Sequence, residues 1–425
     1  MISCRDRLAR ARLIIGLVAA AHPAIAWAAQ PDTKPPSKPP PAASDKQVLP
    51  ADDAQERQLL RVAGEGFTVR RTPHFVIAFN ADPGLVDSLS TRLEQTYASV
   101  DRFCRQSGFA VRPLKQRLEV LFFDTWPDYE RYGRRLQFNC AGTYGFYYEG
   151  TNRSAFFNVE NDPQLIKMQA SIVSARENVA RMEETLKSIR GNQPIEITYS
   201  DGRRLRVTKA QAKEHLESAR RDLKKLDGQR QIYCDRINRT VLQHELAHQV
   251  SYNTGVHVRG AANPKWLVEG LACMFETPPN AGSSGSGIAT INQARLKDFR
   301  QAVVGDADRA SPTSEMYAAA VAAGRMTVVT DLIRDPDLFE ERGERGATHY
   351  AAAWALVHYL HRTQNKALPG YLKDVASRRP GAEWSADEEW DLFVRHFGVV
   401  DDAWTGRFSS YILRLPYRST PGDFQ

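Results

Sequence analysis

Cysteine is scarce in this sequence, and its spacing argues against one common kind of metal site. The chain has five cysteines among 425 residues, and none of them forms a CxxC pair. Because structural zinc sites made of thiolates use such closely spaced pairs, a cysteine-based zinc site is not expected. Four cysteines follow the N-terminal segment, and this even number permits disulfides without identifying the pairs: Cys104, Cys140, Cys234 and Cys273.

Long hydrophobic runs are also missing. Beyond the N-terminus, no stretch reaches the ~18 consecutive apolar residues of a transmembrane helix. Residues 1–12 are rich in arginine, residues 13–26 are apolar and rich in alanine, and Ala26-Trp27-Ala28 fits the small-x-small pattern that signal peptidase cleaves. We therefore expect an exported protein, periplasmic or extracellular, with no stable membrane span after cleavage. An uncleaved membrane anchor is the alternative.

The body of the chain lacks a strong excess of charge of one sign. The formal net charge is +7, and four arginines and one aspartate among the first 12 residues supply +3 of it. No compact stripe of lysine and arginine is interleaved with aromatic side chains, so nucleic acid is not expected as a partner. The hydrophobic fraction of 42% suits a globular protein with a real core.

The order of apolar patterns predicts an α+β fold with a small mixed β-sheet, a helix that carries the HExxH motif of residues 244–248, a helical C-terminal subdomain and an inserted antiparallel helical hairpin. Residues 74–79 and 118–123 are typical strands, and the segment between them has helical spacing. The predicted segments are a signal peptide (1–28), a proline-rich disordered linker (29–62), the N-terminal sheet part of the main domain (63–160), the helical hairpin (161–231), the helices that include the HExxH motif (232–280) and the C-terminal helical subdomain (281–425).

Two heptad-like seams predict the inserted hairpin. Apolar residues recur at spacings of three and four over residues 165–189 and again over 212–226. Between the seams, two short β-patterned runs flank Ser-Asp-Gly at 200–202, which is typical of a tight hairpin turn. The element is either a lid or a docking site for a protein partner, or a peripheral element that only packs on the core.

The strongest chemical signal is the HExxH motif at residues 244–248. Positions i and i+4 of a helix share one face, about 6 Å apart along the axis, so His244 and His248 can converge on one zinc ion. Glu245 lies beside that metal, where it can take a proton from a metal-bound water. Twenty residues separate His248 from Glu269, which is the candidate for a third ligand.

HELAH followed by PKWLVEG at residues 264–270 resembles the gluzincin metallopeptidases, whose third zinc ligand is a glutamate on a second helix. This resemblance implies one Zn²⁺ per chain, held by His244, His248 and Glu269, and a peptide or protein substrate. Residues 67–415 also resemble bacterial peptidase-MA-like proteins of unassigned substrate. Gluzincins often have an aspartate four residues after the ligand glutamate, where this chain has Cys273; Glu276 is either its substitute or a solvated carboxylate.

The expected mechanism is hydrolysis by a zinc-bound water that Glu245 activates. In the resembling families, a tyrosine or histidine from the C-terminal helices shares the developing oxyanion charge. Tyr350 is the candidate here, with His349 as its rival and a packing role as the alternative. His257, between the two ligand helices, has no ligand spacing and is interpreted as structural or at the surface.

Two other functions fit the same motif. The first alternative is a non-catalytic, zinc-stabilised binding protein of the cell envelope. The second is a zinc hydrolase that acts on a cell-wall amide instead of a protein. The presence of Glu245 argues against the first of these, because a structural zinc site needs ligands but no general base.

Overall fold

The structure is a computed structural model that describes residues 12–15, 49–189, 191, 194–199, 204–276, 291–305 and 312–417. The predicted signal-peptidase motif and most of the predicted linker lie outside these residues. Within them, the chain forms two compact units. One contains Val159–Arg236 and a short strand, β1 (Arg12–Ile15), and the other contains the remaining described residues. No helix among the described residues is both long and apolar enough to cross a membrane.

The larger unit is built around a five-stranded mixed sheet, which confirms the predicted α+β class with a small mixed sheet. The strand order is β2-β3-β4-β6-β5. Strands β3, β4 and β6 run parallel, and the two edge strands pair antiparallel with their neighbours. The strands are β2 (Thr68–Arg71), β3 (Phe75–Phe79), β4 (Leu118–Phe123), β5 (Gly145–Tyr148) and β6 (Arg153–Phe157).

Both faces of this sheet are buried, because the central strands are almost continuously apolar. In β3, Phe75 and Ile77 belong to one hydrophobic core and Val76 and Ala78 belong to the other, as the two-residue period of a strand requires. Helices cover the two faces, which is the usual reason that parallel strands read as unbroken apolar runs.

The helices of this unit lie on both faces of the sheet. The two helices that cover the opposite face are α1 (Asp53–Ala63) and α3 (Trp126–Arg135). The helices whose buried residues join the larger core are α2 (Pro83–Gln106), the end of α5 (Lys209–Thr254), α6 (Lys265–Cys273), α7 (Gln293–Val304), α8 (Ser314–Ala322), α9 (Val329–Arg334), α10 (Gly343–Thr363), α11 (Ala367–Ala376), α12 (Ala386–Phe397) and α13 (Asp402–Leu413).

Helix α1 corrects the prediction that residues 29–62 are a disordered linker. Asp52 caps the helix by accepting hydrogen bonds from the backbone N–H groups of residues 54 and 55. Leu59 and Ala63, four residues apart, are buried against the sheet. Arg71 of β2 also forms ion pairs with Asp53 and Glu56. These anchors lie just beyond the proline-rich stretch, whose composition dominated the sequence interpretation.

The smaller unit contains α4 (Pro163–Ser188), two antiparallel strands, β7 (Ile195–Tyr199) and β8 (Arg204–Val207), and the first part of α5. A small core joins these elements, with Met182, Leu186 and Leu216 among its members. Arg176 pairs with Asp227 at 2.7 Å, and Glu183 pairs with Arg220 at 2.8 Å. Since the lower number on α4 meets the higher number on α5, the two helices run in opposite directions.

Helix α5 corrects the prediction of a separate HExxH helix. The sequence interpretation ended the hairpin at residue 231 and began a separate HExxH helix near Ile237, but a single 46-residue helix spans both. No proline or glycine lies between Gly228 and Thr254 to break it. The helix ends only at Gly255, whose φ of 82° is the left-handed conformation that glycine adopts readily at a helix end.

Candidate metal centre

Three side-chain atoms from two helices converge on one point. His244 and His248 lie on one face of α5, and their Nε2 atoms are 3.1 Å apart. Glu269 of α6 brings its Oε2 atom to 3.2 Å from His244 Nε2 and 3.4 Å from His248 Nε2. All three side chains are buried, each with 8 to 9% of its residue surface exposed. The structure therefore brings together the three metal ligands predicted from the sequence.

The separations among these atoms suit a tetrahedral cation. Four ligands at about 2.0–2.1 Å from a zinc ion are about 3.3–3.4 Å from one another, which follows from the geometry of a regular tetrahedron. The three observed distances are 3.1, 3.2 and 3.4 Å. Two imidazoles and one carboxylate leave a fourth corner without a protein ligand, as in catalytic zinc sites.

Gly270 explains how α6 delivers Glu269 to this point. A Cβ atom at Gly270 would lie 2.4 Å from the backbone oxygen of Ala353 and 2.7 Å from a methyl group of Val357, both on α10. Only glycine allows this close contact between the two helices. The glycine that follows Glu269 in the motif is therefore a packing requirement, and it sets the depth of the neighbouring carboxylate.

The outer nitrogen of His244 has a buried acidic partner. Glu276 Oε1 lies 3.0 Å from His244 Nδ1. Glu276 follows the end of α6 rather than lying on its face, since the helix ends at Cys273. Of the two alternatives for Glu276, the structure has the one that replaces the aspartate of the resembling family; the carboxylate is not solvated, with 5% of the residue exposed.

Arg295 of α7 and Asn292, the N-cap residue of the same helix, hold Glu276. Arg295 donates from Nε to Oε2 at 2.8 Å and from Nη2 to Oε1 at 2.6 Å, and Asn292 donates to Oε2 at 2.8 Å. Burial disfavours the charged carboxylate, but Arg295 and His244 outweigh burial and hold the pKa of Glu276 well below its usual range. The sequence analysis missed Asn292 and Arg295, because no motif or spacing connects them with HELAH.

A second group of possible ligands overlaps the first. His244, Cys273 and Glu276 also present donor atoms within 4.8 Å of one another. The Arg295 guanidinium already neutralises Glu276, and burial raises the pKa of the Cys273 thiol. A cation would therefore meet an existing positive charge and a protonated sulfur there. The chemistry of the donors favours the site of His244, His248 and Glu269.

The charges of the cluster suit a bound cation. Burial opposes ionisation of Glu269, but the two histidines outweigh burial and hold the pKa of Glu269 well below its usual range. Burial also opposes protonation of His244, but Cys273, Glu269 and Glu276 together raise its pKa well above the usual value. The buried carboxylates thus favour a positive charge between the rings, which a metal ion would supply.

Glu245 lies beside the three ligand atoms without joining them. Its Oε2 accepts a hydrogen bond at 2.8 Å from the backbone N–H of Tyr147, on the edge strand β5. Burial raises the pKa of Glu245, against the opposing charges of His244 and His248. The residue as a whole is half-buried. A carboxylate that is held by the edge strand and is not one of the three ligands can exchange a proton with a small molecule next to them.

Tyr350 lies at the centre and its rival His349 does not. The Tyr350 ring centroid is 6.1 Å from that of His244. The negative charge of Glu269, followed by burial, raises the pKa of the Tyr350 phenol. His349 instead points toward Thr327, whose Oγ1 is 2.7 Å from its Nδ1.

His257 is buried and neutral, because burial and the charge of His248 lower its pKa to about 3.

Comparison with known proteins identifies one similarity. Residues 238–382 match a family model described as a protein of unknown function, DUF1570. The matched range contains the end of α5 and all of α6, α7 and α10, and so every side chain of the centre described above; Tyr147, whose backbone N–H holds Glu245, precedes it. No curated protein and no solved structure matches the chain.

Proposed function

We propose that this protein is an exported, zinc-dependent metallopeptidase of the gluzincin type, similar to bacterial peptidase-MA-like proteins. The observation that carries the proposal is the combination of three converging ligand atoms with a separate carboxylate beside them, that of Glu245, which the Tyr147 N–H holds. A purely structural zinc site has a closed set of ligands and needs no such base. One Zn²⁺ per chain would be held by His244, His248 and Glu269.

Each side chain has a distinct part in the proposed reaction. When bound, zinc supplies a Lewis acid that polarises the substrate carbonyl and lowers the pKa of water. Glu245 takes the proton from the attacking water and passes it to the leaving amine. The Tyr147 N–H orients the Glu245 carboxylate, and the raised pKa of Glu245 suits a base that must later act as an acid.

Tyr350 is proposed to donate a hydrogen bond to the oxyanion that forms on the substrate carbonyl. The raised pKa of Tyr350 keeps the phenol protonated at neutral pH, as a donor requires. Its position on α10, next to Glu269, brings the hydroxyl-bearing ring to the ligand cluster. The predicted alternative, a tyrosine that only packs, is tested by substitution below.

Several finer proposals accompany the central one. The N-terminal 28 residues would be a signal peptide, and the mature protein would act in the periplasm or outside the cell. The C-terminal end of α5 would be the active-site helix, and residues 161–231 would be an inserted helical hairpin that docks a protein partner or gates the site. Replacement of residues 163–230 by a short Gly/Ser linker tests the last of these: a change in the ratio of rates on a short peptide and on a folded protein supports gating, and an unchanged ratio contradicts it.

The test of the function separates it from its two rivals. Purified mature protein is stripped with a chelator, reloaded with one equivalent of zinc, and assayed on an unstructured protein and on a cell-wall peptide with its amide bonds intact. We expect cleavage of the unstructured protein that disappears on stripping and returns with zinc. Cleavage of the cell-wall amide alone would favour the cell-wall hydrolase. Zinc binding with no cleavage of either substrate would favour the non-catalytic binding protein.

The ligand set is tested in the same experiment. His244→Ala and His248→Ala should abolish zinc binding, and Glu269→Ala should weaken it strongly. His74→Ala is the matched control, since His74 also contacts a glutamate, Glu94, at 2.6 Å but belongs to no group of three ligands among the described residues. Full zinc retention in Glu269→Ala would contradict the gluzincin assignment.

A further inference from the structure

Arg295 contacts two parts of the metal centre at once, the carboxylate of Glu276 and the ring of Tyr350. Its Nε and Nη2 atoms donate to the two oxygens of Glu276, at 2.8 and 2.6 Å, in the planar fork that a guanidinium and a carboxylate form. The same guanidinium carbon lies 5.3 Å from the ring centroid of Tyr350, within the range of a cation–π interaction. Only 15% of the Arg295 side chain is exposed, so solvent screens neither interaction strongly.

The contact with Glu276 determines which ring nitrogen of His244 carries a hydrogen. An ionised carboxylate has no proton to donate, and Arg295 and Asn292 both donate to Glu276, so this carboxylate acts only as an acceptor. The Nδ1 atom of His244, 3.0 Å away, must therefore carry the hydrogen of that bond. In the neutral form that binds a metal, the lone pair of the ring is then on Nε2, the atom that faces His248 and Glu269.

The contact with Tyr350 orients the other partner. The Tyr350 ring contacts both the Arg295 guanidinium and Phe339, whose ring centroid is 5.5 Å away in an edge-to-face arrangement. A ring packed against two neighbours has fewer rotamers available, which restricts the position of its hydroxyl. One side chain thus contacts both the residue that orients a ligand and the residue that faces the substrate.

We propose that Arg295 is a positioning residue of the metal centre, which fixes the His244 tautomer through Glu276 and the Tyr350 ring through its cation. The proposal rests on the proposed function, since it assigns roles within that site. Lysine cannot replace arginine fully, because a single ammonium cannot bond both oxygens of Glu276 in a plane and cover the ring as well.

Zinc affinity is the first test, and it needs no assay of activity. The mature protein and its variants compete with a chromogenic chelator for zinc. We expect Arg295→Gln and Glu276→Gln each to weaken zinc binding by about 10- to 100-fold, the usual effect of losing an outer partner of a ligand. Arg295→Lys should lose less. The double variant Glu276→Gln/Arg295→Gln should bind zinc no more weakly than Glu276→Gln alone, because Arg295 acts on His244 through Glu276.

Arg300 supplies a matched control on the same helix. Arg300 also lies over a tyrosine ring, with its guanidinium carbon 5.4 Å from the centroid of Tyr417, and it donates to backbone oxygens of residues 413 and 415. It has no contact with the ligand cluster. Arg300→Gln removes a similar packing interaction, so it should leave the zinc affinity unchanged even where it lowers thermal stability.

The outcomes separate this proposal from the one it rests on. If the wild type binds no zinc, both are wrong. If the wild type binds zinc and Arg295→Gln binds it equally well, only the role of Arg295 is wrong. If Arg295→Gln does not fold, Arg295→Lys and Glu276→Gln decide: wild-type affinity in both overturns the proposal. A second readout is the kinetic split, since loss of the Tyr350 contact should lower kcat with little change in KM.

Discussion

Cys273 occupies the position where the resembling gluzincins often carry an aspartate that orients a zinc-binding histidine. The thiol is buried, and burial raises its pKa, so it cannot supply the negative charge of that aspartate. Glu276, three residues later, contacts His244 from beyond the helix end. In the proposed site Glu276 would take the role of that aspartate, and Arg295 from another helix balances its buried charge.

At the residue scale, Tyr350→Phe tests whether the phenol takes part in the reaction. Loss of one oxyanion donor should lower kcat by about 10²- to 10³-fold, with little change in KM, since the bond forms only in the transition state. Steady-state kinetics on an unstructured protein or a derived peptide measure both constants. Tyr317→Phe is the control, because Tyr317 is more deeply buried than Tyr350 and packs against Phe299 and Phe408, away from the ligands. A shift in thermal stability without a change in rate would support simple packing.

At the scale of helices and strands, the local sequence pattern predicts single elements and the side chains that share one face of them. The apolar runs of β3 and β4 and the i, i+4 histidines of α5 are visible in the sequence, because two- and 3.6-residue periods dictate which side chains share a face. The interaction of His244 with Arg295 through Glu276 cannot be predicted in this way, because 51 positions separate the two residues in the sequence. A Gly/Ser-rich stretch without a periodic pattern also lies between them. The continuity of α5 was not predicted for another reason. The apolar pattern of the hairpin helix and that of the HExxH helix are the same whether one helix continues through both or a turn separates them.

The contact between α6 and α10 gives a prediction at this scale. Gly270→Ala places a methyl group against the backbone oxygen of Ala353, so α6 must move and carry Glu269 with it. We expect about 1–3 kcal/mol of destabilisation together with weaker zinc binding, measured by thermal unfolding and by chelator competition. Gly406→Ala is the matched control on α13, where nothing lies within 4 Å of the added methyl. Equal zinc affinity in Gly270→Ala would contradict the packing role.

The continuity of α5 gives a second prediction for a structural element. Gly228 lies in the interior of the helix with open space around its position, so Gly228→Ala should raise stability by roughly 0.5–1 kcal/mol. Gly255 ends the same helix with φ of 82°, where alanine is strained, so Gly255→Ala should lower stability. Denaturant unfolding with far-UV circular dichroism measures both. If Gly228→Ala also lowers stability, the helix is broken near that residue.

At the scale of the whole molecule, the candidate metal centre lies within one compact unit. The candidate ligands, the candidate base and the proposed positioning residue belong to the larger unit, and the family match to residues 238–382 falls within it. Among the described residues, the centre is built from this unit alone. We therefore propose catalysis by the larger unit, with gating of the site or docking of a partner as the proposed work of residues 161–231.

The most direct test of the central claim is hydrolysis by Glu245→Gln. The substitution keeps the shape of the side chain and removes the base, while all three ligands stay in place. We predict full zinc content, an unchanged unfolding temperature and a loss of at least about 10²-fold in the rate on an unstructured protein, the usual contribution of a general base. A zinc-loaded Glu245→Gln variant that cleaves this substrate at the wild-type rate would contradict the account.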